Sequence, residues 1–108
     1  MPILSDVEAM KMLDYTTVED MPDKVSDILI PAVNEYLKDA TGKDWGTITE
    51  TYIEIDPVAK VVASILLVRW FEDPGQIDKV NDVGLLSMIN QLEAKYLQEK
   101  QAAEALVV

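Results

Sequence analysis

Residues 57–71 read PVAKVVASILLVRWF, an apolar run broken by strongly polar side chains only at Lys60, Ser64 and Arg69. Asp56 and Pro57 open it with a helix-start signal, because an aspartate can accept from the free N–H groups of a first turn and a proline there has no N–H to lose. Wound at about 100° per residue, Lys60, Ser64 and Glu72 fall in one row through Val68, while Arg69 lies half a turn from Lys60. No wide polar face is left, so the pattern predicts a central helix that the rest of the chain packs around, or one packed between subunits. The run is shorter than the roughly 20 residues that a bilayer crossing takes and carries two cations, so it does not read as a membrane span.

Downstream, Asp73-Pro74-Gly75 stops the helix and the polar loop QIDKVND follows. A last amphipathic helix is predicted from about Val83 to Gln101, with Leu85, Met88, Ile89, Leu92 and Tyr96 on one side and Asn90, Gln91, Glu93 and Lys95 elsewhere. The closing residues 101–108 are apolar at their end; they read as a tail that extends this helix or docks on a neighbour. Upstream, residues 43–56, KDWGTITETYIEID, place Ile48 and Tyr52 among alternating threonines and glutamates. That suits a short strand or an extended arm, and an isolated strand needs a partner that another chain can supply.

The clearest periodicity runs from about Asp23 to Ala40, where Val25, Ile28, Leu29, Ala32, Val33, Tyr36, Leu37 and Ala40 fill one arc and Gly42 stands ready to close the helix in the left-handed conformation. Pro31 removes one backbone donor and crowds the carbonyl four residues back, which predicts a kink between Asp27 and Pro31. Two shorter helices meeting at Ile30, whose side chain falls off the arc, would answer the same pattern. Near the N-terminus, Ser5 and Glu8 fit a capping box for a short first helix with Val7, Met10 and Leu13 on its buried side, and residues 14–22 read as a connection. The whole predicts one all-α domain over residues 1–108: a small bundle of about four helices around a central apolar helix, with an extended arm between the second and third.

The chain's formal charge is −11, and residues 1–56 carry 13 acids against 4 lysines. Duplex DNA calls for a basic patch and none is visible, so tight nucleic-acid binding is not expected; a surface that lies near DNA without gripping it would look like this one. Cysteine and histidine are both absent, which removes disulfides, thiolate metal sites, imidazole catalysis and the common zinc sites, and suits a reducing cytoplasm. The opening residues carry acids where a signal peptide would be basic.

Asp73, Asp78 and Asp82 surround one loop without the fixed spacing and sixth-position glycine of an EF-hand, and Ser64 and Ser87 have no evident general base. Neither an enzyme, nor a metal site, nor a cofactor is expected. Arg69 is more informative, because a bare cation inside an apolar run would cost several kcal/mol. It needs a carboxylate, from an acid of its own chain such as Glu35 or Glu72 or from a neighbouring subunit, or a side chain that snorkels to water. Trp45, Trp70 and Phe71 divide in the same way between core and interface.

The order of these features resembles the small all-helical head–tail connector proteins of tailed phages and prophages, also described as DNA-packaging or head-completion adaptors. The likeness rests on EYLKDATGKDW (Glu35 to Trp45), close to that family's E-x-x-x-x-x-T-G pattern, on AKVVASILLVRWFED (Ala59 to Asp73), an apolar helix ending in aromatics and an acid, and on VGLLSMINQL (Val83 to Leu92). It implies a virion protein, assembled in the host cytoplasm, that forms a homo-oligomeric ring below the portal protein, extends the channel through which DNA passes without sequence-specific binding, and offers a docking surface to a tail or stopper protein. A ring needs two different faces of one subunit to meet. Glu72-Asp73 stand where the family commonly has Arg or Asn after the aromatic pair, and Pro31 falls inside the second helix. The candidate subunit-contact residues are Trp45, Tyr52, Ile53, Arg69, Trp70, Phe71 and Leu106. The rival reading is a small acidic helical module that masks a basic surface of a partner.

Overall fold

The computed structural model describes residues 2–46, 56–80 and 82–106, with side chains through Ala102. It is an all-helical bundle: α1 (Asp6–Met12), a π-helical turn (Val25–Leu29) running directly into α2 (Ile30–Thr41), α3 (Pro57–Glu72), a single 3-10 turn (Pro74–Gln76) and α4 (Val83–Leu106). Strands are absent among the described residues. Most of the expected arm, residues 47–55, lies outside the described residues.

The sequence signals for the ends of the helices act as their chemistry requires. Ser5 and Glu8 form the complete capping box at the start of α1. Asp56 accepts from the Val58 and Ala59 N–H groups at 2.9 and 3.3 Å to start α3. Gly42 closes α2 at φ +89°, a conformation that suits glycine, and a Cβ there would meet the Tyr96 ring at 3.3 Å. α4 runs on to Leu106, so the backbone of residues 101–106 extends the helix.

A π turn over Val25–Leu29, within the stretch of the expected kink, leads into Pro31 and continues directly into α2 at Ile30. The Ile30 N–H donates to the Val25 carbonyl, five residues back, and the wider turn changes which residues return to the same face. Ile30, expected off the arc, is buried, while Ile28, expected inside, is 56% exposed; Val25, Leu29, Val33 and Leu37 are buried as the periodicity requires. A second correction concerns α1. Ala9 is its buried residue, Met10 and Leu13 are half-buried, and Val7 is about half exposed, while Ile3 and Leu4, in the bend just before the helix, are buried. That bend is pinned where the Ile3 N–H donates to the Asn34 side-chain oxygen at 3.0 Å.

The core gathers on one side of α3, where Ala59, Val62, Ala63, Leu66, Leu67 and Trp70 are buried against residues of α2 and α4 that include Val33, Leu37, Leu85, Ile89 and Leu92. α3 and α4 run antiparallel, tied near one end by Asp56 and Lys95 and near the other by Arg69 and Asp82.

Candidate subunit interface

The other side of α3 is open. Val58 and Val61 are 37% and 49% exposed, Ile65 and Val68 are half-buried, and the four recur at the i, i+3, i+7, i+10 spacing of a helix–helix seam. Met12, at the end of α1, is 43% exposed and, with Pro57, Lys60, Val61, Ser64 and Ile65, lines a groove of about 400 Å³. The sequence expectation is that the rest of the chain packs around α3; among the described residues, α1, α2 with its π turn, α4 and the 3-10 turn contact it and leave this arc exposed.

Two ion pairs flank the strip. Lys60 reaches Glu8 of α1. Partial burial pushes the Glu8 carboxyl up, but the Lys60 ammonium and the Ser5 N–H and hydroxyl outweigh it and hold the carboxyl below its usual value. On the far flank Arg69 donates to Asp82 at 2.9 Å. The guanidinium, with the Leu85 N–H that also donates to this carboxylate, lowers the Asp82 pKa. Arg69 thus pairs with an acid of its own chain, as one of the readings expected, but with Asp82 just before α4 instead of Glu35 or Glu72.

Of the other residues expected to touch a neighbour, Trp45 and Trp70 lie in the chain's own core. The Trp45 indole N–H donates to the Thr41 hydroxyl at 2.7 Å, and the Lys43 ammonium sits 4.4 Å from the ring centroid. Trp70 meets Tyr36 of α2 edge-on, with ring centroids 5.6 Å apart. Burial, with a nearby Asp78, raises the Tyr36 pKa. Phe71 is half-buried, edge-on to Tyr15, with the Lys24 ammonium 5.2 Å from its ring. Tyr52, Ile53 and the Leu106 side chain lie outside the described residues.

The exposed valines of α3 were not singled out by sequence reasoning. The missing polar face was the signal, but which arc stays open depends on where α1, α2 and α4 dock. A second hollow, of about 300 Å³, lies where α3 meets the loop before α4; Arg69 and Asp82 pair at its wall and Asp73 accepts from the Gly75 N–H, so these groups serve the junction itself. Among the described residues, no group of three or more acids is placed to hold a metal ion, and no helix is long and apolar enough to cross a membrane. Compared with protein-family models, curated proteins and solved structures, the chain matches none.

Proposed function

We propose that the chain is a structural adaptor of a tailed phage or prophage: a head–tail connector subunit that joins copies of itself in a ring below the portal, lines part of the DNA channel, meets a tail or stopper protein on the other side and carries out no catalytic step. The observation that supports this best is the open apolar strip on α3. A lone subunit leaves those valines wet, whereas stacking them against a neighbour gains about 25 cal/mol for each Å² of apolar surface removed from water. The acid excess is compatible with a channel wall, since a surface with low affinity for phosphate lets a duplex slide. On this reading the protein resides in the virion and passes through the host cytoplasm during assembly.

Particle mass by light scattering over a range of concentrations, alone and with a portal ring, tests the proposal. A multi-subunit species or a portal-bound one is expected. A monomer at every concentration that never joins the portal would overturn it and favour an acidic module that covers a basic partner.

A further inference from the structure

The outer face of α4 carries a second uncovered stripe. Leu85, Ile89 and Leu92 turn one side of the helix into the core, and on the other Val83 is 82%, Leu86 38% and Leu97 46% exposed. At about 100° per residue these three share one narrow arc with the exposed Asn90 and Ala94, and between Val83 and Leu97 that arc holds no charged side chain. The five positions are separated by 3, 4, 4 and 3 residues, a spacing that reads the same from either end, with Asn90 at its centre.

We propose that this stripe joins two copies of the chain, their α4 helices antiparallel about a two-fold axis at Asn90. A surface that meets its own copy must complement itself when turned through half a circle, and the symmetric spacing meets that requirement. Val83 of one copy comes level with Leu97 of the other, and Leu86 with Ala94, a large side chain against a small one. Asn90 meets Asn90, and because each amide has both donors and an acceptor, the two can satisfy one another. An unrelated partner would require no such symmetry. Charge sets the direction. Read as a heptad seam from Val83, the helix has Glu93 and Lys100 at seam positions, where parallel copies would place each beside its own like. Antiparallel copies place Glu93 level with Ser87 and bring Lys100 to within about 3 Å, along the axis, of the level of Asp82, which has the opposite sign. The contact closes with two copies and uses a face other than the α3 strip, so it is distinct from a ring contact and does not rest on the adaptor reading.

The chain has no cysteine, so single introduced thiols report the pairing. On oxidation, Asn90→Cys at the axis is expected to link to its own copy, and an equimolar mixture of Val83→Cys and Leu97→Cys to give a linked pair. Val83→Cys alone is expected to stay unlinked, because its two thiols would lie about 21 Å apart along the helices. Self-linking of Val83→Cys as readily as Asn90→Cys, or no more linking at Asn90 than for Lys11→Cys on the exposed side of α1, would overturn the contact. Sedimentation equilibrium provides a second measurement that needs no cysteine. Up to millimolar concentration the wild-type chain should show a monomer–dimer equilibrium, and Leu86→Asp should weaken it by about tenfold or more with helix content by circular dichroism unchanged. A wild-type chain that is monomeric throughout, or a variant that pairs as tightly as the wild type, would overturn the contact. Attachment to a portal ring is measured separately. A chain that dimerises in this way and never joins the ring supports this contact and counts against the adaptor reading, and one that joins the ring without dimerising does the reverse.

Discussion

Asp56 uses one carboxylate twice. One oxygen accepts from the Val58 and Ala59 N–H groups that open α3, and the other meets Lys95 of α4. Burial pushes this carboxyl up, yet the Lys95 ammonium and the two backbone donors prevail and hold it below the ordinary aspartate value. The unfolded chain therefore takes up the proton first as the pH falls: the contribution to stability is whole above about pH 4 and fades as the pH drops through the lower folded-state value. Asp56→Ala should cost about 1 kcal/mol at neutral pH, the usual loss of a helix cap. Asp56→Asn, which can still cap, should lose less and should flatten the acid side of the stability profile; urea unfolding of the three proteins at a series of pH values from neutral downward checks both outcomes. The cap was legible from Asp-Pro alone, but the Lys95 bond was not, since it depends on how α4 folds back along α3. The same holds for Thr41, whose hydroxyl donates to the Leu37 carbonyl at 2.6 Å and accepts from Trp45: nothing in the spacing of those residues singles out that network.

The helices show where reading by period works and where it stops. For α3, α4 and the later part of α2, apolar spacing and capping residues locate the elements because local hydrogen bonding follows a single repeat. At Pro31 the repeat itself changes. Proline marks the place, but how the chain answers, by a kink, a break or a wider turn, is decided by the core that Ile30 enters. This yields a sharp contrast between two isoleucines. Ile30→Ala should destabilise the fold by about 2–5 kcal/mol as a buried large-to-small change, and Ile28→Ala should shift it by no more than about 0.5 kcal/mol. Thermal or urea unfolding of the two variants distinguishes them, and an uninterrupted α-helical phase would predict the reverse order.

At the level of the whole molecule, the principal extents are 52 × 31 × 18 Å. The core that α3 shares with α2 and α4 lies on one side of it, so a sequence apolar around its whole circumference leaves Val58 and Val61 at the surface. The all-α architecture and the central place of α3 were legible in the sequence. The open arc was not, because it is a property of the assembled layer rather than of any one helix.

The ties to α4 on either side of residues 47–55 have a consequence for the continuity of the backbone. Lys43 pairs with Glu99 at 3.0 Å and Asp56 with Lys95, so α4 grips the chain on both sides of that stretch, one turn apart along its own axis. The core shared by α2, α3 and α4 lies on both sides of it as well. A protease site introduced between Gly46 and Asp56 and then cleaved should leave two fragments that elute together from a sizing column and retain their helical spectrum, separating only under denaturant. On that outcome the covalent link between the two halves is dispensable to the finished fold, and separation of the fragments without denaturant would show the opposite.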